Sequence, residues 1–194
     1  MPNKEQPRKT FDEGALQELA DSITQHGVLQ PLLVRPLVTG GYQLVAGERR
    51  WRASRMAGLK EVPVVVKELS DVETMEIAII ENLQREDLNP IEEAEGLQAL
   101  IDRCGFTQEE VATSVGKSRP AIANALRLLK LPQEVRDMTK NGEISAGHAR
   151  ALLSFDNEAM IYEVAQNIVK NNLTVRDVCL LYTSPSPRDR SLSR

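Results

Sequence analysis

Residues 107–131, Thr107-Gln-Glu-Glu-Val-Ala-Thr-Ser-Val-Gly-Lys-Ser-Arg-Pro-Ala-Ile-Ala-Asn-Ala-Leu-Arg-Leu-Leu-Lys-Leu131, constrain the fold more than any other stretch of the chain. They predict two helices around a tight turn. Thr107 is placed to N-cap the first helix, and Glu110 three residues on completes a capping box. Val111, Ala112 and Val115 share one face. Gly116 supplies the left-handed residue that ends the helix. Ser118 caps the second helix, and Pro120 sits in its first turn, where no N–H is needed. Ile122, Leu126 and Leu129 are expected to face inward. A helix-turn-helix needs a small residue where its helices touch (Ala112), a glycine in the turn and a β-branched residue locking one helix onto the other (Ile122). Its second helix enters the DNA major groove by its N-terminal end. Here that end carries Lys117, Ser118, Arg119, Ala121 and Asn124. Arginine pairs with guanine, asparagine with adenine, and serine with a phosphate or base. An ordinary helical hairpin is the alternative; Lys117, Arg119, Arg127 and Lys130 favour DNA.

Overall charge argues weakly against that reading. The 194-residue chain carries a net −4, yet the charge is unevenly arranged. Residues 70–110 hold twelve acidic and two basic residues, a local −10, whereas residues 47–60 hold five basic and one acidic, a local +4. Arrangement rather than total decides phosphate binding. The length allows one or two domains with a real core. Aromatic residues make up 4%, so aliphatic side chains must fill that core. Cys104 and Cys179 are far apart and lack metal-ligand spacing, which favours thiols in a reducing compartment. No apolar run is long enough to span a bilayer, and residues 1–10 lack the apolar stretch of a signal peptide. A cytoplasmic, nucleoid-associated location with no membrane partner is expected.

Along the chain, Phe11 to His26 reads as a helix with Leu16, Leu19, Ala20 and Ile23 on one face, Asp12 as cap and Gly27 as stop. Residues 31–36 and 42–46 predict strands joined through Thr39-Gly40-Gly41 as a hairpin. A helix over 48–57 follows Gly47, then a strand over 62–67. From Asp71 onward the pattern is helical: 72–82, 89–103 with Asn89 as cap and Pro90 in first position, then 132–141, 145–153, 155–170 and 174–181. Boundaries are placed at 1–69 (α+β), 70–104 (helical link completing a nucleotide site), 105–181 (DNA reader) and 182–194. That last segment is Ser/Pro/Arg-rich and cannot bury a face. It reads as a non-native tail, with a basic DNA-touching arm as the alternative.

Two further motifs carry chemistry. In Gly47-Glu-Arg-Arg-Trp-Arg-Ala53, a glycine directly after a strand admits a ligand to the backbone. The following helix N-terminus offers N–H groups and a positive dipole. Arg49, Arg50 and Arg52 add charge able to clamp phosphate oxygens. A solvated or DNA-facing arginine face is the competing reading. In Glu81-Asn-Leu-Gln-Arg-Glu-Asp-Leu-Asn-Pro90, Asn82 or Glu81 can supply the one or two contacts that Mg²⁺ takes from protein, and Arg85 can reach a phosphate; a capped helix end is the competing reading. Together the motifs suggest one Mg²⁺–triphosphate site unlike a Gly-Lys-Ser/Thr phosphate loop. A short strand around residues 27–31 would meet the base.

Gln6-Pro-Arg-Lys-Thr-Phe, His26-Gly-Val-Leu-Gln-Pro, the Gly47–Ala53 and Glu81–Pro90 motifs, the Ile-Glu-Glu-Ala that follows, and Gly116-Lys-Ser-Arg-Pro-Ala-Ile-Ala-Asn resemble the ParB family of bacterial chromosome-partition proteins. The resemblance runs in order from about Pro2 to Leu181. It implies an α+β N-terminal ParB/sulfiredoxin-like domain followed by an all-α helix-turn-helix DNA-binding domain. It implies a centromere-binding protein that recognises the palindromic double-stranded parS site. It also implies a CTPase switch, in which N-terminal domains self-associate when CTP and parS are bound, the clamp slides, and slow hydrolysis resets it. Carried onto this sequence, Gly47, Glu48, Arg49, Arg50 and Arg52 would surround the triphosphate. Asn82 would sit on Mg²⁺, Arg85 would hold phosphates, Glu81 would serve hydrolysis and Gln30 would face cytosine. Arg119 and Asn124 would contact DNA, and Gly147-His148 would lie in a helical region supporting parS contacts, with a structural role in a helix turn as the alternative for His148.

Family members also begin with a segment that stimulates a ParA-type ATPase and end in a dimerisation domain. Neither is found in these residues, so the chain reads as an internal fragment for which ParA stimulation is doubtful. A nucleoid-occlusion (Noc-like) or transcriptional DNA binder of the same family is the alternative function. An enzyme of the sulfiredoxin type would need a cysteine beside the phosphate-binding arginine, where this chain has Glu48.

Overall fold

The computed structural model describes residues 13–85 and 88–180. They fall into two compact units, one of residues 13–84 with 103–105, the other of 85–102 with 106–180. The expected helix start at Phe11 and Asp12 and the segment 182–194 lie outside the described residues.

In the first unit, α1 (Glu13–His26) buries Leu16, Ala20 and Ile23, the face its spacing predicts. Gly27 ends it at φ 72°, with its N–H donated to the Ile23 carbonyl. Strands β1 (Leu32–Pro36) and β2 (Tyr42–Ala46) form the expected antiparallel hairpin, with an irregularity between Leu33 and Val34. Helix α2 (Glu48–Met56) follows and crosses over to β3 (Val64–Val66), which pairs parallel to β1 and completes the order β2-β1-β3. β3 is shorter than the predicted 62–67, although Pro63 still accepts the Leu32 N–H and Lys67 still donates to Val34. Leu32, Val34 and Leu44 form a core with Trp51 and Val62, and Ala53 of α2 packs with the buried face of α1.

Helix α3 (Asp71–Leu83) packs on β2 and opens with a capping box the sequence reading missed, Ser70 with Glu73. Arg35 fastens the approach to this helix: its guanidinium donates to Gln43, to the Leu69 carbonyl and to Asp71 at 2.5 Å.

Helix α4 (Pro90–Cys104) starts as expected, with Asn89 Oδ1 accepting the N–H groups of Ile91 and Glu92. In the second unit, α5 (Gln108–Val115) and α6 (Arg119–Arg127) form the helical pair, followed by a 3-10 turn over Leu128–Lys130. α7 (Gln133–Lys140), α8 (Ala146–Leu152), α9 (Glu158–Asn171) and α10 (Val175–Val178) complete it. Ile91, Leu128, Leu131, Val135, Ile144, Leu152, Val164 and Ile168 form its main core. Gly147 lets α8 approach α10, because a Cβ there would lie 2.9 Å from Val175 Cγ2.

The helical region also differs from the expected pattern in places. α9 begins at Glu158 rather than 155, because Asn157 caps it by accepting the Ala159 N–H. Leu128 is the fully buried leucine at the end of α6, while Leu129 packs partly buried against the same core, as expected, and Leu126 is half-buried.

Candidate nucleotide site and nucleic-acid interface

The β2–α2 corner is built on Gly47. Its φ is 100°, a left-handed conformation, and an added Cβ would stand 2.8 Å from Leu32 Cδ2 and 3.4 Å from Arg50 Nη2. Backbone geometry and the close approach of Leu32 both require glycine. Gly47 makes no side-chain cap, so the first amides of α2 are left for other acceptors.

Around that corner the arginines take different positions. Arg50 Nη1 donates to the Gln30 carbonyl at 2.8 Å and the Pro31 carbonyl at 3.0 Å. Residues 27–31 are therefore not the expected strand. They form an irregular turn between the left-handed Gly27 and Pro31, and two of their carbonyls face a guanidinium rather than a sheet partner. Arg52 Nε donates to Glu48 Oε1 at 2.7 Å. Glu48 is 7% exposed, and its Oε2 has no hydrogen-bond partner among the described residues. Arg49 is exposed, and the Arg55 guanidinium lies 5.2 Å from the Trp51 ring centroid. Three cationic side chains at a helix N-terminus oppose the helix dipole. An anion seated on the exposed amides offsets both, which makes the corner suited to phosphate.

The second motif lies at the end of α3. Glu81 is exposed and Asn82 half-buried, on a helix held against β2. Arg85 belongs to the second unit, and Glu86 and Asp87 lie outside the described residues. No cluster of three or more His, Cys, Asp or Glu side chains is placed to hold a metal among the described residues.

The helical pair has the expected local chemistry. Thr107 and Glu110 form the capping box, with Thr107 Oγ1 accepting the Glu110 N–H and Glu110 accepting the Thr107 N–H at 2.8 Å. Gly116 sits at φ 67°, and the Lys117 N–H reaches back to the Ala112 carbonyl. Ser118 caps α6 through the Ala121 N–H. Val111 and Ile122 are fully buried and Ala112 nearly so. Opposite this core, Lys117, Ser118, Arg119, Ala121 and Asn124 are all exposed along one end of α6. His148 forms a capping box with Ser145 through Nδ1, the structural role in a helix turn that was the alternative to a DNA-supporting one.

What the sequence reading missed are the acidic partners of these cations. Lys117 is ion-paired with Glu93 of α4, and Arg119 Nε lies 4.0 Å from Glu109. The acidic stretch was visible, but which carboxylate meets which lysine depends on tertiary packing. The burial of Glu48 was hidden for the same reason, although its i,i+4 spacing to Arg52 was a usable signal.

Comparison with known proteins places both motifs in one context. Residues 1–83 match the ParB N-terminal domain and residues 86–184 the ParB HTH domain. The chain is 54% identical over 203 residues to the chromosome-partitioning protein Spo0J of Thermus thermophilus, covering 100% of this chain and 74% of that protein. It is 53% identical to the chromosome-partitioning protein ParB of Myxococcus xanthus, covering 90% of this chain and 59% of that one. Among solved structures, C-terminally truncated ParB from Caulobacter crescentus, complexed to the centromeric parS site, aligns with a TM-score of 0.79 at 46% identity over 93% of each chain. Among the described residues no helix is long and apolar enough to cross a membrane.

Proposed function

The chain belongs to the ParB family of chromosome-partition proteins, and on that basis we propose that it binds a parS palindrome through α6 and switches its hold on DNA with CTP. The DNA half rests on one observation above others. The exposed end of α6 presents Arg119 and Asn124 on a helical pair whose 46%-identical structural relative is complexed to parS. Arg119 pairs with a guanine and Asn124 with an adenine, while Lys117 and Ser118 hold phosphates.

The nucleotide half rests on the β2–α2 corner. Gly47 opens the backbone to the phosphates, Arg49, Arg50 and Arg52 supply charge-assisted hydrogen bonds, and Glu48 orients Arg52. Gln30 stands next to Arg50 and faces the cytosine base. Asn82, an oxygen donor at the end of α3, would be the protein contact of a Mg²⁺ held mainly by phosphate oxygens and water. When bound, the ion neutralises charge on the phosphates. Glu81 is the residue assigned to hydrolysis, in which water displaces CDP from the terminal phosphoryl group, and Arg85 steadies the phosphates. Two N-terminal domains associate in the CTP-bound state.

The test is CTP binding and turnover by this chain, with ATP and UTP as controls, with and without a parS duplex. CTP-selective turnover raised by parS is expected and should be slowed by Glu81→Gln. DNA binding without any nucleotide binding would reduce the protein to a plain DNA-binding module.

A further inference from the structure

Lys117 stands in the turn that leads into α6, where a phosphate-contacting cation belongs, yet its ammonium is held by Glu93. Both ends of the pair are accessible, with 48% of the Lys117 side chain and 30% of Glu93 exposed. By contrast, Arg127 and Lys130, also on the reader, have no carboxylate within ion-pair distance among the described residues. Glu93 lies in the first turn of α4, and there the helix dipole favours a carboxylate whether or not a cation is present. Losing Lys117 therefore leaves Glu93 in a tolerable place, and the exchange of one anionic partner for another is cheap.

We infer that Glu93 is a built-in competitor for the DNA backbone. It holds Lys117 until a phosphate displaces it, and so lowers the affinity of the reader for any duplex, leaving base contacts to decide where the protein stays. This rests on the reading of α6 as the DNA-contacting helix. It also gives a task to Glu93, a part of the acidic stretch over residues 70–110 that the proposed nucleotide chemistry, with Glu81, does not use. A carboxylate that merely fastens α4 to the turn would behave differently, because its loss would weaken binding rather than strengthen it.

The experiment is a fluorescence titration of the nucleotide-free chain with a parS duplex and a scrambled duplex, over a range of salt, for wild type, Glu93→Gln, Lys117→Gln and the double variant. Glu93→Gln is expected to tighten binding to both duplexes by about three- to fivefold, the scale of one exposed ion pair. The slope of log affinity against log salt should stay at the wild-type value, because the Lys117–phosphate contact forms in both complexes, whereas Lys117→Gln should lower it by about one. In the Lys117→Gln background the same substitution should change nothing, since the cation it releases is absent. Unchanged or weakened affinity in Glu93→Gln, with melting unchanged, would overturn the inference. Arg119→Ala is run alongside: if it keeps its preference for parS, the reading of α6 fails first, whatever Glu93 does.

Discussion

Arg50 grips two consecutive backbone carbonyls, Gln30 and Pro31, with a single guanidinium nitrogen. This leaves its Nη2 beside Gly47 at the mouth of α2. The side chain thus fixes the 27–31 loop and leaves its remaining donors at the β2–α2 corner, the proposed phosphate site. Arg50→Ala should lose one or two charge-assisted hydrogen bonds, about 1.5–3 kcal/mol each, and CTP affinity should fall at least tenfold. Arg50→Lys should recover little, because an ammonium cannot make the same fork. Calorimetric titration with CTP, alongside a thermal melt showing a folded protein, checks both.

Gly47→Ala tests the corner from the backbone side. The new methyl would meet Leu32, one of the most buried residues of the sheet, in a left-handed conformation that alanine disfavours. The strain should cost about 1–3 kcal/mol, visible as a lower midpoint in urea unfolding. CTP binding should be lost even well below that midpoint, since the displaced backbone no longer admits a phosphate.

Local signals carried most of this architecture. Thr107, Gly116, Ser118 and Asn89 act within a few residues of themselves, and the caps formed where the sequence placed them. The hairpin and the buried face of α1 were legible for the same reason. Features that depend on distant packing were not. The parallel pairing of β3 with β1 joins segments separated by a whole helix, and Lys117 meets Glu93 across 24 positions. The expected strand over residues 27–31 failed because Arg50, twenty residues away, holds its carbonyls. The arginine cluster was legible as chemistry, but only the structure shows that Arg52 is tied to a buried glutamate while Arg50 is tied to a loop.

The capping box of α5 makes a pH-dependent contribution. Hydrogen bonds from the Thr107 backbone N–H, and then from its hydroxyl, hold the Glu110 carboxyl below its ordinary value of 4.5. A carboxyl whose folded value is depressed stabilises the fold above its unfolded value, and that stabilisation is lost as pH falls through the folded one. Below about pH 4.5, then, part of the drop in melting temperature should come from Glu110. Glu110→Gln keeps an acceptor for the Thr107 N–H but cannot titrate. Its melting temperature should fall less steeply over the same acid range, and an unchanged slope would assign the acid sensitivity elsewhere.

If α6 is the base reader as proposed, base reading and fold maintenance should separate on it, because Arg119 and Asn124 are exposed while Ile122 is buried. Arg119 is exposed, and its 4.0 Å approach to Glu109 is between side chains 68% and 77% accessible, so almost nothing structural is lost with it. Arg119→Ala should leave the melt within about 0.5 kcal/mol of wild type. It should weaken parS binding by about 1–3 kcal/mol, the scale of one bidentate guanine contact, with little effect on a scrambled duplex. Ile122, fully buried against α5, should show the reverse: Ile122→Ala opens a cavity costing about 2–5 kcal/mol of stability. It should weaken binding to both duplexes alike, through unfolding of the reader. Gel-shift titrations with both duplexes, read against the two melts, distinguish the outcomes. A parS-specific loss from Ile122→Ala, or a melting loss from Arg119→Ala, would mean that the faces of α6 are assigned the wrong way round.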